Sequence, residues 1–343
     1  MSTLKYRALV CCLALAACGG GNPSKPAAEP APATQTSHAK VETDANPATS
    51  PAAPAAEEPP AQVQAPKIRL LSPGTAPRQV LRYRFALGPS QWSQMDMKMA
   101  VGMALGDAVP KANALPTIRM MMRADLKSVS PEGELRYEFE LTSITVLRDV
   151  QVTPAIREKL EKDLAKLVGL KGRALVTTRG ITKEAEFDVP PDAPESVKDN
   201  LENMRSAIQQ ICAPLPEEEV GKGAVWEFES QIVTPKLRLT QTSTHTLQAL
   251  RPNAMSTRIS LVQNAPRQRM NLKNLPNAKV QLESLLSTGD GKSDVVLDKL
   301  VPHSSMKMST NMQMSVAAAD GSNASMAMTL GFEMAFQPTK GPR

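Results

Sequence analysis

The sequence predicts a mainly β (α+β) fold: a large curved antiparallel sheet, or an open barrel, with two covering helices. Three observations predict it. Most of the chain after residue 66 alternates apolar with polar residues, the period of a half-buried strand. Clusters of Gly, Pro, Asp and Ser punctuate these stretches. Two stretches repeat at helical spacing instead, each with one apolar stripe, and the simplest use of such a stripe is to cover a sheet.

The elements follow in order. Leu81, Tyr83 and Phe85 open the strand pattern on one face, and a second strand is expected over about 92–105. Residues 117–129 and 134–148 read as a hairpin across Ser130-Pro131-Glu132-Gly133, whose Pro and Gly suit a tight turn. In the second arm Leu135, Tyr137, Phe139 and Leu141 share one side, against Arg136, Glu138 and Glu140. Thr153-Pro154 then suits an N-cap and first helical position. Ile156, Leu160, Leu164, Leu167 and Val168 form the stripe of that helix, and Gly169 ends it. A strand pair is expected over 173–178 and 181–189 around Gly180. A second helix starts near Pro194, with Val197, Leu201, Met204, Ile208 and Ile211 at helical spacing. Strands return after Pro214, at about 223–233, 236–250, 255–263, 278–288, 292–301, 305–317 and 324–336. Asp290-Gly291 and Asp320-Gly321 read as hairpin turns. The body, residues 67–343, suffices for one large β-rich domain or two divided near 213–222.

The body is poor in aromatics and rich in methionine. Met95, Met97 and Met99 alternate with Asp96 and Lys98. Met306 and Met308 flank Lys307, Met312 and Met314 keep the same parity, and Met326, Met328 and Met334 share a parity in the last strand. Residues i and i+2 of a strand point the same way, so each set lies on one face. Three uses are open. Flexible thioethers fill irregular cores in place of aromatics. They also line adaptable pockets for apolar ligands. Finally, they are soft ligands for Cu(I), and His303 lies three residues before Met306.

The N-terminus speaks to location. Lys5 and Arg7 precede an uncharged run from Ala8 to Ala17 that is too short to span a bilayer as a helix. Residues 22–66 follow: 45 residues with 10 Pro and 13 Ala, and no aromatic, Leu, Ile or Met. Such a segment cannot bury enough apolar surface to offset ordering, so a disordered tether is expected. Fully extended it would reach on the order of 140 Å at about 3.1 Å per residue.

The chain carries +6. The first segment holds +2 and the tether −3, which leaves the body at +7. No Lys/Arg run is interleaved with aromatics, so nucleic acid is not an expected partner. Cys11 and Cys12 lie in the first segment, so Cys212 is the one thiol left for the body, and core packing is its expected role. No H-E-x-x-H, C-x-x-C or G-x-S-x-G occurs, and Glu217-Glu218-Glu219 reads as a solvated acidic loop. Gly291-Lys292-Ser293 ends like a phosphate loop, but Leu286 stands where its first Gly belongs. No enzyme activity, cofactor or metal centre is expected.

Leu15-Ala16-Ala17-Cys18, with Gly19-Gly20-Gly21 behind it, resembles the lipobox of a bacterial lipoprotein. The resemblance implies removal of residues 1–17 and lipidation of Cys18. Several acyl chains there anchor a protein stably where one does not. Gly19 after the Cys, where an Asp would retain the protein at the inner membrane, implies the outer membrane. Two stretches of the body, Leu81–Gly88 with Met95–Met99 and Pro214–Trp226, resemble a family of bacterial lipoproteins with a domain of unknown function. That family implies location and a β-rich fold, and no activity. In plan the body is also similar to lipoprotein carriers of the outer membrane, an analogy of architecture only. The expected role is a non-catalytic structural or interaction module, with the membrane and an envelope protein, polymer or lipid as partners. The alternative is a carrier of a lipid or other apolar ligand. Its lining would be Met95, Met97, Met99, Met306, Met308, Met312, Met314, Met326 and Met328.

Overall fold

The computed structural model describes residues 66–106, 108–188, 211–233, 237–270, 279–317 and 323–341, all within one compact unit. Its strands are β1 (Lys67–Ser72), β2 (Gln79–Val80), β3 (Gln91–Leu105), β4 (Asn113–Ala114), β5 (Ile118–Val129), β6 (Leu135–Val146), β7 (Lys171–Val176) and β8 (Thr182–Phe187). After these come β9 (Glu219–Val220), β10 (Val225–Val233), β11 (Arg238–Arg251), β12 (Ala254–Ala265), β13 (Gln268–Met270), β14 (Lys279–Val296), β15 (His303–Ala317) and β16 (Asn323–Thr339). One antiparallel path runs β1-β10-β11-β12-β14-β15-β16-β3-β5-β6-β7-β8, with β13 on β14, β4 on β3, and β2 paired with β9 apart. The last long strand, β16, therefore lies against the first, β3.

The expectation of two covering helices is corrected. The fold is mostly β-sheet, and α1 (Pro154–Ala165) is the single short helix among the described residues. It begins where Thr153-Pro154 predicts, and Leu164 and Leu167 of its stripe are buried against Met97, Met99 and Leu141. Val168, assigned to that stripe, is exposed. The helix expected from Pro194 lies outside the described residues. Nor does the sheet form a barrel. The path ends at β1 and β8, which do not pair with each other.

What joins the two flanks of the sheet is side-chain packing through two irregular segments. Leu81, Tyr83 and Phe85 alternate inward as predicted but form no ladder strand. The Tyr83 N–H donates to Thr178 O at 2.7 Å, beside β7, and the Arg84 N–H to Leu297 O at 2.7 Å, just past β14. The Tyr83 hydroxyl accepts from the Ala213 N–H at 3.0 Å. Leu215 N–H donates to Arg179 O at 2.9 Å. Gly180 sits at φ +75°, and a Cβ there would stand 2.5 Å from Ala213 O, so no side chain fits. Residues from β5, β6 and β7 thus share one core with Trp226, Leu247, Met255 and Val295 from the opposite flank. Cys212 is buried in this core, its thiol pushed up to about 12 by burial.

Two turn readings divide. Ser130–Gly133 turns as expected, with Gly133 at φ +82° and its N–H donating to Ser130 O at 2.9 Å. Asp290-Gly291 does not turn. β14 runs through it unbroken, Asp290 pairing with Lys307 and Gly291 with Met306. Asp320-Gly321 lies outside the described residues.

Candidate functional site on the inner sheet face

Cross-strand register arranges the inner face in rows. One row reads Trp226, His245, Ile259, Gly291, Met306, Met334, Met97 and Ile118 across β10, β11, β12, β14, β15, β16, β3 and β5. The next reads Phe228, Ser243, Leu261, Gly289, Met308, Phe332 and Met99. After it comes Ser230, Gln241, Gln263, Ser287, Thr310, Leu330 and Val101. Beyond that, Leu285, Met312, Met328 and Met103 form a further row.

All nine methionines named from the sequence fall on this face, but in two groups. Met97, Met99, Met306 and Met308 are buried with half-buried Met95 in a cluster that includes Phe332, Leu261 and Leu164 of α1. Met312, Met314 and Met326 are buried with half-buried Met328 among Ile232, Leu239, Val280, Leu282 and Leu285. Thioethers here sit against aliphatic and aromatic carbon, where their unbranched chains fill irregular space. Gly289 contributes: a Cβ there would lie 3.3 Å from Met306 Sδ, so the glycine gives the thioether room. His303 is exposed, on the opposite parity from Met306, so the strand separates this imidazole from the thioethers. No group of three or more His, Cys, Asp or Glu side chains suited to a metal ion occurs among the described residues. Cys18 and Leu15, Ala16 and Ala17 lie outside the described residues.

Between the two methionine groups runs a polar row that the sequence reading missed. Gln241, Gln263, Ser287 and Thr310 are all at least 96 % buried. The Gln263 Nε2 donates to Gln241 Oε1 at 2.7 Å, and the hydroxyls of Ser287 and Thr310 lie 2.8 Å apart. Ser230 Oγ is buried and has no hydrogen-bond partner. Two rows away, His245 stacks on Trp226, ring centroids 5.5 Å apart and planes 6° from parallel. Its Nε2 is 3.3 Å from Ser243 Oγ, while its Nδ1 is buried without a partner. Burial pushes its pKa down to about 3, so the imidazole is neutral at ordinary pH. Trp226 Nε1 donates to Pro214 O at 2.9 Å.

No inner-face position of these rows in β10, β11, β12, β14 or β15 carries Asp, Glu, Lys or Arg. The face can therefore donate and accept hydrogen bonds but offers no counter-charge. At the β3 side it opens: Met103 and Leu105, on inner parity, are 42 % and 69 % exposed. The missed signal lies in Leu239–Leu247 of β11. There Thr240, Thr242, Thr244 and Thr246 fill the outer positions while Gln241, Ser243 and His245 fill the inner ones, so polarity does not alternate and periodicity is silent. The chain matches no family model and no curated protein sequence.

Proposed function

We propose that this chain is a lipid-anchored lipoprotein of the bacterial outer membrane whose body is a non-catalytic envelope module. The observation that carries this reading is Leu15-Ala16-Ala17-Cys18, set between a short apolar run and a 45-residue Pro/Ala-rich segment ahead of the body. Acyl chains on Cys18 would fix one end, and the segment would set the distance of the body from the bilayer. Fractionation of cells expressing the wild-type chain and Cys18→Ala tests it. The wild type is expected with outer membranes and the variant in the soluble fraction. Equal membrane association of both would overturn the anchor.

A second reading, that the body binds an amphipathic molecule, is favoured by one observation. The inner face places uncharged polar groups beside apolar methionine rows, with two buried polar atoms, Ser230 Oγ and His245 Nδ1, lacking partners. Buried polar atoms without partners are uncommon, each costing about 1–3 kcal/mol. Ligand sites combine the same ingredients: an apolar lining and a few placed polar groups.

A further inference from the structure

The polar row divides the sheet into two ends, and one end differs in chemistry. Four segments leave the row on that side and return to it: 102–112, 231–240, 264–286 and 311–329. Together they carry seven Lys and Arg against three Asp and Glu, which is four of the body's seven excess positive charges. Lys111, Arg238, Arg267 and Arg269 are exposed there. Glu283 is the one carboxylate of these segments among the described residues, and Arg267 holds it at 2.7 Å. Lys111, Arg238 and Arg269 have no ion-pair partner among the described residues.

The same end bears the two most exposed large apolar side chains among the described residues, Leu105 at 69 % and Val109 at 88 %. Their loop is held in place. The Gly106 N–H donates to Ser325 O at 2.9 Å, and the backbone of Lys111 lies on Gly102, where a Cβ would stand 2.7 Å from its carbonyl carbon. Single exposed aliphatic residues are ordinary on a protein surface. An apolar tip on a fixed loop, at an end rich in unpaired cations, has the composition of a surface that rests among lipid headgroups. Counted along the sheet at about 4.8 Å per strand, β11 with Arg238 lies about 24 Å from β3 with Leu105. A small anion does not reach both. A soluble polyanion matches the cations and leaves Leu105 and Val109 in water. A bilayer with anionic headgroups matches the cations and the tip together.

We propose that this end of the sheet is a docking surface for an anionic phospholipid bilayer, with Leu105 and Val109 entering the headgroup layer and Lys111, Arg238 and Arg269 facing the lipid phosphates. This goes beyond the Cys18 anchor, which holds a chain end and leaves open which side of the body meets the membrane.

The full chain carrying Trp92→Phe and Val109→Trp tests it, sedimented with vesicles of brominated phosphatidylcholine, alone or with an equal amount of phosphatidylglycerol. Bromine quenches an indole that reaches the acyl chains, and Trp226 is fully buried, out of its reach. The indole placed at 109 is expected to lose most of its emission on the mixed vesicles and little on phosphatidylcholine alone, the difference shrinking as salt is raised. One cation at an anionic surface strengthens binding about fivefold. Lys111→Gln, Arg238→Gln and Arg269→Gln together are therefore expected to shift docking by about 100-fold and abolish the quenching. Lys127→Gln, Arg136→Gln and Arg173→Gln remove as much charge from another part of the surface, where each cation is already paired, and are expected to leave it intact. An indole that stays bright on vesicles with which the chain sediments overturns the proposal and leaves the Cys18 anchor standing. So does a chain that sediments with neither vesicle. Equal quenching on both vesicles, or equal loss in both triple variants, overturns the anionic assignment. Binding of heparin without quenching on vesicles assigns this end to a soluble polyanion instead.

Discussion

The inner face of this sheet has two halves that bury equally well by different means. On β3, β15 and β16 most inward positions are Met, Phe, Leu or Val, with Thr310 among the exceptions, and cohesion comes mainly from close packing of apolar side chains. On β10, β11 and β12 the inward positions mix Trp226, Ile259 and Leu261 with Gln241, Ser243, His245 and Gln263, all on one ladder. The first half tolerates imprecision, because a thioether can rotate to fill a gap. The second does not, because a buried polar atom that loses its partner costs about 1–3 kcal/mol. One sheet therefore joins an adaptable half to an exacting one.

At neutral pH the largest expected effect lies in the methionine half. Met308 is 2 % exposed, and Met308→Ala is expected to cost about 3 kcal/mol in denaturant unfolding, as for other large-to-small core changes. Met308→Leu, of similar volume, is expected to cost less than about 1.5 kcal/mol. A Leu as damaging as Ala would break the claim that this half is adaptable.

The polar half gives the next effect and reverses the logic. Gln263→Leu alone removes the 2.7 Å bond to Gln241 and is expected to cost about 2 kcal/mol, because a buried amide loses its donor. Adding Gln241→Leu is expected to recover much of that loss. Additive costs in a double-mutant cycle would show that the two amides are not coupled.

A pH dependence sharpens the comparison further. His245 is held neutral in the fold, its pKa down at about 3 against 6.5 when unfolded. Between these values the unfolded chain binds a proton that the folded chain does not. Stability from this group is thus complete above pH 6.5 and lost as pH falls towards 3, by at most about 1.4 kcal/mol per unit. Subtracting the profile of His245→Phe from wild type isolates it. A difference that is flat with pH would mean that the ring protonates in place.

The smallest effect belongs to the outer face. Arg119 donates to both oxygens of Asp96, at 2.7 and 2.6 Å, from partly exposed positions on β5 and β3. Asp96→Asn is expected to cost less than about 1 kcal/mol, and less again at high salt.

How much of this was legible in the sequence depends on how local the deciding interaction is. The parity of Met95, Met97 and Met99 needs only a period of two, and all nine methionines fall on the face assigned to them. The turn at Ser130–Gly133 and the start of α1 at Thr153-Pro154 are likewise local. Asp290-Gly291 misled because its dipeptide is a turn signal only where the chain is free to turn. Here glycines at 289 and 291 stand in a central strand beside Met306 and Met308. Residues 81–85 alternate like a strand, yet their backbone bonds go to residue 178 on one flank and 297 on the other. The polar row was illegible because it exists only in register. Ser230, Gln241, Gln263, Ser287 and Thr310 come from five separate strands, and no short window of sequence contains more than a fragment of the row.

The pairing of β16 with β3 carries one more consequence, for the order in which the molecule can be completed. Residues 91–105 have β4 and β5 along one edge and find the ladder partner of the other edge only at 323–339. A chain that emerges N-terminus first therefore holds an unfinished strand edge, with Met95, Met97 and Met99 uncovered, until residues 323–339 are available. Contacts of such long sequence separation fold slowly and leave intermediates prone to aggregation. Loss of the final strand would not trim this protein at its margin. It would open the sheet in the middle.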